Sequence, residues 1–202
     1  MNAWRRCLVA VALAALAGCA APVERPTRPV PVQPSTPAQS QPRATLPGVV
    51  LHAPLPGVYT AAQPGAGDWM RLPALGIATV INLRPRAEAP ARDEAAEVRD
   101  AGLAYLEIPV AGAEAITAEN ARRLWQAIAA ARGKVLVHCS TGNRAGALLA
   151  LAAHADGMPA AEALAVGWSA GLTRLEPVVR QRLGLPAAPA CIAGAVDAAA
   201  RC

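Results

Sequence analysis

Residues 134–146 read Lys-Val-Leu-Val-His-Cys-Ser-Thr-Gly-Asn-Arg-Ala-Gly. An apolar run delivers His138 and Cys139 to a short polar loop, and Arg144 then opens an apolar helix. A loop that curls around a helix N-terminus aims several backbone N–H groups at one spot, which makes an anion nest. Gly142 supplies the positive φ such a nest needs. Arg144 adds a two-pronged donor for an oxyanion. The helix dipole and the guanidinium both favour the thiolate form of Cys139. A thiolate beneath an oxyanion cradle is a nucleophile aimed at a phosphoryl or sulfuryl centre. A cysteine at a strand end, taken alone, reads as buried structure; the combination of strand, glycine, arginine and helix carries the site. His138 reads as structural, hydrogen-bonding near the loop. The loop holds no cluster of metal ligands, so neither a metal nor any other cofactor is expected.

Several elements must position this loop. Val58–Ala61 reads as a short strand after a Pro/Gly-rich entry. Asp68–Leu75 reads as a short helix with Asp68 as N-cap. Ala78–Leu83 is a buried strand by its β-branched run. Arg92–Ala101 has helical character and ends at Gly102, and Ala104–Pro109 is another strand. Thr117–Arg132 is a helix with Leu124, Ile128 and Ala131 on one face, closed by Gly133. Lys134–Val137 is the strand before the loop. Helices follow over Ala145–Ala155, Pro159–Val166 and Leu175–Leu183, with Pro159 suited to a first helical turn. This alternation predicts an α/β domain with a mainly parallel central sheet flanked by helices. Arg84 follows a strand C-terminus, where such sheets place ligands, and is the basic candidate for a supporting role.

The composition limits the remaining possibilities. The 202 residues include 51 Ala, no Phe and a single lysine, Lys134. From residue 48 onward 14 basic residues face 13 acidic ones, so the formal +5 is largely an N-terminal property. That balance speaks against a nucleic-acid partner. Residues 1–18 carry a positive start, a short apolar run and small residues before Cys19, the pattern of a secretory signal. Leu16-Ala17-Gly18-Cys19 matches the bacterial lipobox, which implies lipidation at Cys19 and a membrane anchor. By resemblance to bacterial lipoproteins, Ala20 favours the outer membrane, facing the periplasm. Residues 19–47 read as a Pro-rich linker, 48–185 as the catalytic domain and 186–202 as an Ala/Pro-rich tail. In an oxidising compartment a Cys191–Cys202 disulfide is expected.

The loop resembles the signature of the protein tyrosine and dual-specificity phosphatase superfamily. It is more similar still to the bacterial beta-lactamase-hydrolase-like phosphatase-like domain. The resemblance runs from Val58 to Leu183. It includes Val80-Ile81-Asn82-Leu83-Arg84, Ile108-Pro109-Val110, the Cys139 loop and Gly171-Leu172-Thr173-Arg174-Leu175-Glu176. It implies a dual-specificity-phosphatase-like fold, Cys139 as nucleophile and Arg144 as the oxyanion-binding arginine. Ser140, Thr141, Gly142 and Asn143 would supply the cradle for a small anionic or phosphorylated substrate.

Three departures from the family pattern bear on the chemistry. Four residues separate Cys139 from Arg144, where phosphatases have five; the shorter loop is similar to that of rhodanese-type sulfurtransferases. Ala145 stands where many phosphatases carry Ser or Thr. The segment Val110–Ala115, where the family places an Asp acid, has only Glu114. Three readings stay open: phosphomonoester hydrolysis through a phosphocysteine, sulfur transfer through a Cys139 persulfide, and a non-catalytic anion-binding module.

Overall fold

The computed structural model describes residues 45–188. The expected signal segment, the expected lipidation at Cys19 and the expected Cys191–Cys202 disulfide lie outside the described residues, as does most of the stretch read as linker. The chain enters through two hairpins. Strand β1 (Thr45–Leu46) pairs antiparallel with β2 (Val49–Val50), and β3 (His52–Leu55) pairs antiparallel with β4 (Val58–Ala61). Both turns are Pro-Gly, with Gly48 at φ 80° and Gly57 at φ 75°. That is the type II pattern, proline presetting the first corner and glycine supplying the left-handed second one. The first hairpin straddles the expected boundary, with β1 in the stretch read as linker and β2 in the stretch read as the domain. It is held because Leu46 is buried in the same cluster as Trp69 and Leu72.

The remaining strands are β5 (Ile77–Asn82), β6 (Ala104–Glu107) and β7 (Lys134–His138). They join a five-stranded sheet of order β3-β4-β7-β5-β6. β4, β7, β5 and β6 run parallel, and only β3 is antiparallel. β3 contains Pro54 and is an edge strand, where a missing N–H costs no ladder bond. β7 sits at the centre, and its side chains alternate: Val135 and Val137 face one core cluster, Leu136 the other. The expected α/β fold with a mostly parallel sheet is therefore present.

Five helices cover the two faces: α1 (Glu94–Asp100), α2 (Ala118–Ala130), α3 (Asn143–Ala155), α4 (Ala160–Ser169) and α5 (Glu176–Arg182). α2, α3, α4 and α5 contribute to one cluster; α1 and the 3-10 turns at Ala66–Arg71 and Pro73–Leu75 build the other. Caps follow the sequence signals. The Asp93 side chain accepts from the Ala96 N–H at 3.0 Å, and Thr117 from the Asn120 N–H at 3.2 Å. Asp68 departs from expectation. It is not an N-cap but the third residue of its 3-10 turn, and its carboxylate reaches back to accept the Gly65 N–H at 2.9 Å. The helix starts earlier because Gly65 takes the extended cap conformation.

α3 is the central helix, buried from Asn143 to Ala153. The alanine-rich composition has a structural use here. A methyl group on Gly146 would lie 2.5 Å from the Leu172 nitrogen and 2.7 Å from the Gly167 carbonyl oxygen. Backbones of α3 and of the α4 segment thus touch, and only glycine fits at the crossing. Leu148 and Leu149 are fully buried beside it, each contributing about 1.5–3 kcal/mol of transfer free energy. This packing fixes the start of α3, where the candidate site lies.

Candidate active site

β7 ends at His138, and the alternation of the strand continues into the loop. Cys139 joins the α3-side cluster and is fully buried, while His138 faces Trp69, with ring centroids 5.7 Å apart. Gly142 has φ 86° and forms the N-terminal cap of α3. That left-handed corner turns the Gly142 N–H back to the Cys139 Sγ at 3.2 Å. The sulfur is therefore enclosed by its own loop. The loop is also pinned from β4: the Gln63 N–H donates to the Ser140 carbonyl at 3.3 Å, and Ala62 bridges Thr141. Ser140 and Thr141 remain exposed.

Arg144 is nearly buried at the start of α3. Nη1 donates to Glu88 Oε1 at 2.6 Å and to the Val110 carbonyl at 2.7 Å. Nη2 donates to Glu88 Oε2 at 2.7 Å and to Ser140 Oγ at 3.0 Å. A guanidinium has five N–H groups, so these bonds use all four terminal ones. Glu88 takes the end-on fork, and the Ser140 hydroxyl takes the remaining Nη2 hydrogen. Glu88 raises the Arg144 pKa most strongly; burial opposes this, and Cys139 adds to the rise. Conversely, the Arg144 hydrogen bond is the main cause of the depressed Glu88 pKa, with burial opposing and Arg84 assisting. Glu88 was not among the residues singled out from sequence. Its signal was the Arg84–Glu88 spacing in a loop after a strand C-terminus.

Asn143 does not extend its side chain into the cradle. Its Oδ1 accepts the Thr173 N–H at 2.8 Å, with longer bonds from Thr173 Oγ1 and the Leu175 N–H at 3.3 and 3.4 Å. The carboxamide oxygen is committed to the turn before α5, and no hydrogen bond engages its Nδ2 among the described residues. Gly171, at φ 97°, lets that turn approach Gly142 closely, and Thr60 Oγ1 donates to the Ala170 carbonyl at 2.9 Å.

Behind the loop, His138 Nε2 lies 3.0 Å from Glu94 Oε1. Neither ring nitrogen of His138 makes a hydrogen bond among the described residues. Glu94 is buried. Burial is the largest influence on its pKa and pushes it up, but the His138 contact, the Gln63 amide and Arg92 together hold it below the ordinary carboxylate value. Gln63 Nε2 donates to Glu94 Oε2 at 2.6 Å. Gln63 Oε1 accepts from Arg84 Nη1, while Arg84 Nη2 donates to the Glu88 carbonyl at 2.7 Å. Arg84 thus supports Glu88 and does not touch the loop. Glu114 is exposed and makes no hydrogen bond or ion pair among the described residues.

A small cleft of about 30 Å³, open to solvent, lies on the Glu94 and Arg84 side of the sheet. Asn82, Arg84, Arg86, Glu94, Tyr105 and Glu107 line it, and no residue of the 139–144 loop does. Burial, above all, pushes the Tyr105 phenol pKa up; its oxygen accepts the Asn82 Nδ2–H at 2.9 Å. No three His, Cys, Asp or Glu side chains converge as a metal site among the described residues.

Residues 55–156, just over half of the chain, match the family described as beta-lactamase hydrolase-like protein, phosphatase-like domain. The curated relatives include a beta-lactamase hydrolase-like protein of Xylella fastidiosa strain Temecula1, 40% identical over 101 residues, 48% of this chain and 23% of that protein. The Agrobacterium fabrum counterpart is 38% identical over the same shares. This chain therefore spans about a quarter of the length of the relatives it matches, 23% of each. Among solved structures, a candidate phosphatase of Neisseria meningitidis is 26% identical with a TM-score of 0.53, over 62% of this chain and 92% of that one. A candidate phosphatase of Shewanella putrefaciens is 25% identical with a TM-score of 0.51, over 66% and 90%. P. aeruginosa TpbA, solved with phosphotyrosine, shares the fold at 23% identity and a TM-score of 0.51, over 75% and 98%.

Proposed function

The chain belongs to the phosphatase-like domain family of the beta-lactamase hydrolase-like proteins, and from that premise we propose that it is a cysteine-dependent phosphatase-type enzyme acting on phosphomonoesters. The Cys139 thiolate attacks phosphorus. The S–P bond forms as the ester P–O bond breaks, and the electron pair leaves with the alcohol oxygen. Water then attacks the phosphocysteine, the S–P bond breaks, and phosphate and the thiolate are released. Charge on the equatorial oxygens is met by the loop and by Arg144 through its Nε edge, with the oxyanion replacing Ser140 Oγ on Nη2. Donors fixed in advance at such a point stabilise the transition state without reorganisation. The observation that carries this reading is the enclosed Cys139 sulfur under the Gly142 N–H with Arg144 locked alongside by Glu88.

Among the described residues, neither carboxylate near the expected acid segment is placed to protonate the leaving group. Glu88 is held ionised by Arg144, and Glu114 is exposed without a partner. A general acid contributes about 10²–10⁴-fold, so aryl phosphates, whose phenolate leaves unaided, are the preferred substrates. The same lack, with the four-residue spacing, supports a second reading. In it Cys139 Sγ attacks the sulfane sulfur of thiosulfate, sulfite leaves with the S–S electron pair, and the persulfide passes its sulfur to cyanide or a thiol. Neither departure needs an acid. On either reading the lipobox at Leu16–Cys19 supports an envelope enzyme held to the membrane by lipid.

The test measures turnover of phosphate esters with graded leaving groups, alongside thiosulfate with cyanide. The phosphatase reading expects aryl ester hydrolysis that is lost in Cys139→Ser, with alkyl esters slower by about 10²–10⁴-fold. Thiocyanate formation without phosphate release would replace it with sulfur transfer. Anion binding that survives Cys139→Ser with no turnover of either kind would leave a binding module.

A further inference from the structure

Two polar clusters, one buried and one at the solvent edge, flank the 139–144 loop. One is His138 with Glu94; the other is Arg84 with Glu88 and Arg144. They come from segments far apart in sequence, and the side chain of Gln63 touches both. We propose that Gln63 is a positioning residue that joins the two clusters and thereby sets how Arg144 is presented to an anion at Cys139; this rests on the reading of that loop as an oxyanion cradle.

The chemistry of the junction is specific to an amide. Glu94, as a carboxylate, can only accept, and Arg84 can only donate. Between them a side chain must offer a donor at one end and an acceptor at the other. Gln63 does so: Nε2 donates to Glu94 Oε2 at 2.6 Å and to the Pro64 carbonyl at 3.1 Å, and Oε1 accepts from Arg84. The partners also fix the orientation of the amide, since the flipped amide would set like against like at both ends. A carboxylate at this position would oppose Glu94, and an ammonium would oppose Arg84. The Gln63 backbone is itself tied to the loop through the Ser140 carbonyl. A change in the side chain therefore acts on the cradle along two routes, the backbone pin and the series Arg84–Glu88–Arg144.

Nothing in the proposed reaction requires Gln63 to touch substrate, so its test uses a readout other than turnover. The full chain, reduced, is alkylated with iodoacetate and, separately, with iodoacetamide. Mass spectrometry follows the Cys139 peptide, and the ratio of the two rates reports attraction of an anion to the cradle. Wild type should prefer iodoacetate, and Arg144→Lys should lose that preference. Gln63→Glu should lower the ratio about tenfold, within the range of coupling through packed networks. Gln63→Glu combined with Glu94→Gln restores the donor–acceptor order along residues 94, 63 and 84, though not the bond to the Pro64 carbonyl, and should return the ratio to within about threefold of wild type. Gln63→Met, which removes both bonds at similar volume, should lower the ratio like Gln63→Glu and serves if the latter does not fold.

A wild-type ratio in Gln63→Met or Gln63→Glu, or no recovery in a folded double variant, overturns the proposal while leaving the cradle standing. An unchanged ratio in Arg144→Lys overturns the cradle, and the role of Gln63 with it.

Discussion

Glu94 and Glu88 do related work on opposite sides of the same loop, and the contrast between them is instructive. Glu94 holds His138, the residue before Cys139; Glu88 holds Arg144, the residue that closes the loop. Glu94 is 6% exposed and meets His138, Gln63 and the Tyr105 hydroxyl. The Glu88 side chain is 34% exposed and meets only the two arginines, Arg144 and Arg84. A buried carboxylate whose partners are all fixed is scaffold: removing it strands every partner. A carboxylate at the solvent edge can exchange partners cheaply, because water replaces what it gives up. The loop is thus bounded by a buried carboxylate on the His138 side and by a solvent-edge carboxylate that holds Arg144 on the other, the side on which the proposed oxyanion would displace Ser140 Oγ.

The sharpest way to break this contrast is at Arg144 itself. Arg144→Lys keeps a cation but loses the planar fork shared by Glu88, Val110 and Ser140, so kcat/KM should fall about 10²–10³-fold, the scale of losing an oxyanion donor. Steady-state kinetics over a range of substrate concentrations at fixed neutral pH checks it, and a fall under about threefold would deny Arg144 its role.

Next come the two carboxylates, compared by thermal or urea unfolding. Glu94→Ala should destabilise by about 3 kcal/mol, the cost of breaking a buried pair from one side. Glu88→Gln should cost under about 1 kcal/mol, yet weaken phosphate or vanadate binding about fivefold through a looser Arg144. Equal destabilisation by the two changes would erase the distinction between scaffold and adjustable edge.

The smallest expected effect is on acid stability. Both carboxylates have folded-state pKa values below the ordinary 4.5. A depressed carboxylate contributes stability that is fully present above its unfolded pKa and is lost as pH falls through the folded one. Wild type should therefore lose stability as pH drops below about 4.5. Glu94→Gln should flatten that acid limb more than Glu88→Gln, since the Glu88 contribution is screened by solvent. A wild-type acid limb in Glu94→Gln would show that its pairing contributes nothing.

How much of this was visible in the sequence depended on contiguity. The loop from Cys139 to Arg144 is six adjacent residues, so its turn at Gly142 and its strand and helix could be read directly. The β-branched run of β5 and the face of α2 were equally plain. Glu88, Glu94 and Gln63 come from three other segments, and their meeting depends on the order β4-β7-β5 in the sheet, which local pattern does not encode. The second task of Asn143 was hidden for a related reason: its side-chain oxygen serves a turn 30 residues on. The first hairpin was missed although Pro47-Gly48 marks it, because the proline-rich surroundings look like spacer. Alanine abundance hid the close approach of α3 and α4, which only Gly146 and Gly167 permit.

The most direct test of the account is the covalent state of Cys139 during reaction. The reduced full chain is mixed with an aryl phosphate and, separately, with thiosulfate, quenched rapidly, and the Cys139 peptide is weighed. The account predicts a transient phosphoryl adduct from the ester, absent in Cys139→Ser and strongly reduced in Arg144→Lys, with phosphate released as it decays. A lasting added sulfur atom from thiosulfate, transferable to cyanide and unmatched by any phosphoryl adduct, would contradict it.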